Sequence, residues 1–144
     1  MGLNQIVQIS NPEDIRAIEE SGLMRPTVPD TTFNQYRYQI DIDGNSNSWA
    51  GLFTKLLTGS PVLKVASPLG FRQWYYDLLE PWVNFVPVAS DMSDLIEKTE
   101  WLRDNAEEAR RIGERGRETA AFLAYDAEIV RCSSTLVSAF SFFS

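Results

Sequence analysis

The chain has 144 residues, 44% of them apolar, with a formal net charge of −7, one cysteine and no histidine. That length and apolar share suit one folded domain with a core of its own. The acidic balance leaves no basic stripe for nucleic acid, Cys132 alone excludes an intrachain disulfide, and no His-based triad or His-ligated metal can form within the chain.

Met1 to Ser10 has no basic region followed by an apolar one, and Met1–Ile6 lacks the Ser or Thr of a myristoylation signal. The longest uncharged run, Cys132 to Ser144, is too short and serine-rich to span a bilayer. A cytoplasmic location, at most peripheral to a membrane, is the expectation. Ile6 to Ile9 suits a short strand. Asn11-Pro12-Glu13-Asp14 then predicts a helix start: Asn as cap, Pro at the first helical position, acids in the first turn. Ile15 and Ile18 give that helix an apolar side and Gly22 ends it. Leu23 to Thr32, with Pro26 and Pro29, reads as a linker, so residues 1–35 form an N-terminal helix and linker ahead of a domain over 36–144.

Tyr36, Tyr38, Ile40 and Ile42 alternate with Arg37, Gln39, Asp41 and Asp43, the period of a half-buried strand. Asp43-Gly44-Asn45-Ser46-Asn47-Ser48 follows as a tight polar loop. Trp49, Leu52, Phe53, Leu56 and Leu57 then take helical spacing, with Ser48 as the expected N-cap and Gly59 at the left-handed C-terminal position. Pro61 to Ala66 predicts a second strand. Strand, glycine-bearing loop, helix and strand make a βαβ unit whose first loop lies at a helix N-terminus, where backbone N–H groups favour an anion. The plain alternative is a turn built from ordinary turn formers.

Leu69 to Leu79 predicts an aromatic-rich helix with Phe71, Trp74, Tyr75 and Leu78 on one face, turned to the core rather than to a nucleotide base. Asn84 to Val88 suits a third strand, and Ser90 or Asp91 a helix cap. From Ser93 to Leu123 the residues Leu95, Thr99, Leu102, Ala106, Ala109, Ile112, Gly116, Ala120 and Leu123 keep three-four spacing. Asn105 with Glu108 has the form of a capping box and splits the stretch in two. Glu107 with Arg111 is an i,i+4 pair on an otherwise solvated charged face. Ala124 to Phe143 predicts a last helix with a broad apolar face.

Tyr38-Gln39-Ile40-Asp41-Ile42-Asp43-Gly44-Asn45-Ser46-Asn47-Ser48-Trp49, then Leu56-Leu57-Thr58-Gly59-Ser60-Pro61-Val62-Leu63-Lys64, resembles glycosyltransferase family 90. So do Trp74–Asp77, Pro81–Val88, Asp91–Leu95 and Ile112–Gly116, in order and at matching spacing. That group holds capsule-associated sugar transferases, protein O-glucosyltransferases and lipopolysaccharide-modifying proteins. The resemblance implies an α/β fold, a Rossmann-like parallel sheet with flanking helices like the C-terminal half of a GT-B glycosyltransferase. It also implies inverting transfer from a nucleotide-diphosphate sugar, such as a UDP-sugar, to a glycan, lipopolysaccharide or protein hydroxyl, with neither cofactor nor metal. The catalytic base of the family belongs to an N-terminal, acceptor-binding half, so a separate partner of that kind is expected. Relatives carry an arginine near the start of the helix after the loop. Here no basic residue precedes Lys55, so Lys55 or a more distant arginine would face the diphosphate. The expected donor-binding residues are Asp43, Gly44, Asn45, Ser46, Asn47, Ser48 and Trp49, with Arg72, Gln73 and Arg115. Three or four strands are few for a nucleotide-binding half, which suggests a truncated or split enzyme. The competing expectation is a catalytically inactive remnant, or a partner-binding module of the same fold.

Overall fold

The structure, a computed structural model, describes residues 11–26, 29–43, 46, 48 and 50–123. The chain divides into two compact units, Met1–Gln35 and Tyr36–Ser144. The strand expected at Ile6 to Ile9 and the helix expected from Ala124 to Phe143 lie outside the described residues.

In the first unit α1 runs over Pro12–Glu20, and its cap forms as the sequence dictates. The Asn11 side chain accepts a hydrogen bond from the Glu13 amide at 3.0 Å. Gly22 follows the helix with φ +67°, a conformation that costs a Cβ-bearing residue most. A six-residue 3-10 helix, Asp30–Gln35, occupies part of the expected linker.

In the second unit three parallel strands pair in the order β1 (Gln39–Asp41), β2 (Val62–Val65), β3 (Val86–Val88). The predicted Rossmann-like parallel sheet with flanking helices is what folds. Between β1 and β2 runs α2 (Gly51–Leu57), and after β3 come α3 (Leu95–Asp104) and α4 (Ala106–Phe122). Each face of the sheet has its own core. On one, Leu63, Val65, Val86 and Val88 pack against Leu102, Ala109 and Ile112, with Ile40 and Tyr38 beside them. On the other, Val62 packs with Leu52 and Leu56 of α2, Tyr75, Ala120 and Leu123. Gly59 ends α2 with φ +76°, as expected of a left-handed terminator.

Several local expectations are corrected. The strand β1 is three residues long, and Tyr36 and Ile42 at its ends are exposed while Gln39 and Asp41 are buried. Alternation gave the period but not which set faces inward, because a parallel sheet is covered on both sides. Leu69–Leu79 is not an α-helix. Gly70 takes φ +70°, the Phe71 amide bonds to Ser67 Oγ, and the only helical piece is a 3-10 turn at Tyr76–Leu78. Of the proposed apolar face only Tyr75 is buried, and Trp74 and Leu78 stand in solvent. The helix α3 begins after Asp94, beyond the expected Ser90 or Asp91 cap, and Asp91 instead closes a turn on Ser93. The split at Asn105 is present without a capping box, since Asn105 Nδ2 donates to the Trp101 carbonyl. Glu108, not Glu107, takes Arg111, at 3.1 Å.

Candidate functional site

One carboxylate at the end of β1 gathers Ser48, α2 and β2. Asp41 ends β1 with no exposed surface and lies opposite Lys64 in the strand register. Its Oδ1 accepts hydrogen bonds from Lys55 Nζ at 2.7 Å and from Ser48 Oγ at 2.8 Å. Its Oδ2 forms an ion pair with Lys64 Nζ at 3.0 Å. The same ammonium donates to Asp43 Oδ1 at 3.0 Å and sits 5.6 Å from the centre of the Tyr76 ring. Burial pushes the Asp41 pKa up, but the hydrogen bonds and charges of Lys55 and Lys64 outweigh it and hold the carboxyl below its ordinary range. Burial likewise pulls Lys64 down, and Asp41 and Asp43 more than reverse it, so the amine stays protonated above the ordinary lysine range.

Beside this cluster is a cavity of about 360 Å³ lined by Leu52, Lys64, Arg72, Tyr76, Asp77, Leu79, Pro81 and Phe85. Leu52, Leu79, Pro81 and Phe85 are its apolar lining, and its polar lining comes from β2 and from the β2–β3 connection, a mixture small-molecule sites use. Arg72 pairs with Asp77, both largely exposed. Burial raises the Tyr76 pKa, so its phenol is neutral at physiological pH.

The sequence-predicted residues divide. Asp43 and Ser48 belong to the carboxylate–lysine cluster, and Arg72 lines the cavity. Ser46 is half-buried in the turn. Gln73 is half-buried and gives its carbonyl to the Tyr76 amide, but does not line this cavity. Arg115 is turned along α4 onto Glu108 at 3.4 Å. Gly44, Asn45, Asn47 and Trp49 lie outside the described residues. Ser48 is not the helix cap. Ala50 holds that position without a side-chain bond, and the Ser48 hydroxyl is directed at Asp41 instead. At seven residues, α2 is also too short for its N-terminal dipole to carry an anion site. Lys64, in the second predicted strand and not among the expected donor-binding residues, is at the centre of the cluster. A lysine amid Val62, Leu63 and Val65 was the available signal, because such a side chain needs a buried counter-charge. Among the described residues, no three His, Cys, Asp or Glu side chains converge as a metal-ligand set, and no helix is long and apolar enough to cross a membrane.

A sequence model of glycosyl transferase family 90 matches residues 11–133. The chain belongs to glycosyltransferase family 90. It is 39% identical over 88 residues to protein O-glucosyltransferase 3 of Rattus norvegicus, a stretch covering 61% of this chain and 17% of that protein. Uncharacterized protein 179R of Invertebrate iridescent virus 6 is 35% identical over 107 residues, 71% of this chain and 9% of the viral protein. Uncharacterized protein 027R of Frog virus 3 (isolate Goorha) is 30% identical over 118 residues, 79% and 12% of the two lengths. The chain therefore spans 17% or less of each of these relatives.

The family 90 blocks found in the sequence do different physical jobs. The Tyr38–Trp49 block supplies the buried carboxylate of Asp41 and the Ser48 hydroxyl bound to it. Ile112–Gly116 is a packing seam. A Cβ on Gly113 would lie 2.2 Å from the Gly59 carbonyl oxygen, and one on Gly116 would lie 2.7 Å from that of Asn84. In the Pro81–Val88 block, Asn84 is buried. Its Nδ2 donates to Thr119 Oγ1 at 2.9 Å and its Oδ1 accepts from the Glu80 amide at 2.8 Å, tying the approach to β3 onto α4.

Proposed function

We propose that this chain forms the donor-binding part of a sugar transferase, holding a nucleotide-diphosphate sugar between the β1–α2 turn and the β2–β3 connection. The observation that carries this reading is the cavity lined by Lys64, Arg72 and Tyr76, joined to the turn through the Lys64–Asp43 bond. Both segments leave the carboxyl ends of parallel strands, where open α/β sheets bind ligands. Membership of family 90 supports a nucleotide-sugar donor. Because relatives are named protein O-glucosyltransferases, UDP-glucose is the first donor to test and a protein hydroxyl the first acceptor. A glycan or lipopolysaccharide hydroxyl is next.

The reaction needs a base for the acceptor hydroxyl, and the carboxylates around the cavity are poorly suited to that role. Asp41 is held ionised by two lysines, Asp43 is bound to Lys64, and Asp77 is paired with Arg72. Deprotonation is then the task of a separate acceptor-binding half, and the purified chain alone transfers no sugar. Calorimetric titration with UDP, GDP and their sugars, with and without chelator, tests the proposal. UDP should bind at about 0.1–1 mM and without divalent metal. A preference for GDP, or affinity lost to chelator, contradicts the donor assignment. Binding of no nucleotide at all favours an inactive, partner-binding module.

A further inference from the structure

We infer that Asp41 is a positioning residue for the donor site, its buried carboxylate drawing Ser48, Lys55 and Lys64 to one point and so fixing Ser48 at the entry to α2. The inference rests on the donor site proposed above and deepens it. Four stretches of chain meet at this group: the end of β1, the turn, α2 and β2. The turn is drawn in closely. The Gly51 amide donates to the Ser48 carbonyl at 2.7 Å, and a Cβ on Gly51 would lie 3.3 Å from Ser48 Cβ and 3.8 Å from Asp41 Oδ1.

Charge balance lets the cluster hold its geometry without a ligand. Asp41 and Asp43 carry two negative charges and Lys55 and Lys64 two positive ones, all held within 3.0 Å of a partner. The Ser48 hydroxyl gives its single hydrogen to Asp41. Each ammonium has three protons, of which Lys55 gives one and Lys64 two to these carboxylates, while the Ser48 hydroxyl has none left for a diphosphate. Arg72, largely exposed and paired with Asp77, lines the same cavity as Lys64. Ser48 is thus held by a cluster whose charges balance before a donor binds.

The test compares the chain with Ser48→Ala and Ser48→Thr, reading UDP affinity by calorimetry, amide exchange by NMR and the urea midpoint. Ser48→Ala should weaken UDP binding roughly tenfold and speed exchange of the Gly51 amide by a similar factor, since a hydrogen bond to an ionised group is among the stronger kinds. Amides of β2 should exchange as before, and Ser48→Thr, which keeps the hydroxyl, should restore both readings. Parent-like UDP affinity in Ser48→Ala overturns the inference. So does Ser48→Thr binding as weakly as Ser48→Ala at the parent's urea midpoint. If the parent itself binds no UDP, the donor reading fails by itself and the Gly51 amide decides. Faster exchange in Ser48→Ala then supports Asp41 as the anchor of the turn, and unchanged exchange overturns it.

Discussion

The two faces of this short sheet are built from opposite materials. One presents Ile40, Leu63, Val65, Val86 and Val88 to α3 and α4, and is apolar throughout. The other presents Asp41 and Lys64 on neighbouring strands and closes them over with α2 and the Tyr75–Tyr76 segment. An apolar face tolerates small shifts because its attraction has no direction. A buried carboxylate with three donors does not, because each bond fixes a distance and an angle. Replacing such a cluster with hydrophobic residues of similar volume is often neutral or stabilising. Its presence here therefore suits a role in geometry, at the place where the β1–α2 turn begins.

The largest effect should come from the polar face. Asp41→Ala leaves the ammonium of Lys64, only 10% exposed, with half its counter-charge. Removing one partner of a buried pair costs about 3–5 kcal/mol. Lys55 is 27% exposed and can turn to water, so the penalty falls mainly on Lys64. Urea unfolding of the variant measures it. A loss below about 1 kcal/mol would mean that water reaches the cluster and that the two faces differ less than their residues suggest.

A smaller loss, about 3 kcal/mol, is expected from Gly113→Ala on α4. The added methyl would meet three backbone atoms, the Gly59 carbonyl oxygen and carbon and the Pro61 nitrogen, and backbone cannot swing aside as a side chain can. This variant should lower the urea midpoint equally at low and high salt, since it touches no charge. A salt-dependent loss would show that α4 is held by its surface pairs rather than by close packing.

The same contrast explains what could be read from the sequence. The strand–turn–helix–strand order, Gly59 as terminator and the buried stripe Leu102, Ala109, Ile112, Gly116, Ala120 and Leu123 all follow from local periodicity. The Asp41 cluster does not, because its members are up to 23 residues apart and meet only through the register that sets Asp41 opposite Lys64. Two of the chain's three lysines are drawn to one aspartate, a pattern visible only once that pairing is known. The Leu69–Leu79 helix failed for another reason. Its apolar spacing is real, but Pro68, the positive φ of Gly70 and the Ser67 hydroxyl favour successive i,i+3 turns over a helical ladder.

The smallest effect is the most specific to the polar face, and it concerns pH. The folded-state pKa of Asp41 is below its unfolded value, so its contribution is complete above the unfolded pKa, about 3.9, and is lost as pH falls through the lower folded value. Lys64 has the opposite sign. Its folded pKa is above the unfolded value of about 10.4, so its contribution is complete below that pH and is lost as pH rises through the folded value. Tyr75 and Tyr76 steepen the alkaline limb. Burial raises both, which keeps them neutral in the fold, so stability falls above the ordinary tyrosine pKa of about 10. Stability should therefore be flat near neutrality and decline at both ends, by about 1.4 kcal/mol for each pKa unit between folded and unfolded states. Asp91 and Glu114 also have lowered pKa values, from hydrogen bonds to Ser93 and to Arg117, but they are at the surface, where salt screens charge. Urea midpoints between pH 2 and 7 at about 0.5 M salt isolate the buried group. An acid limb that persists at that salt in the parent and flattens in Asp41→Asn assigns it to Asp41. An acid limb that salt removes assigns it to the surface carboxylates, and the two faces of the sheet would then respond to pH alike.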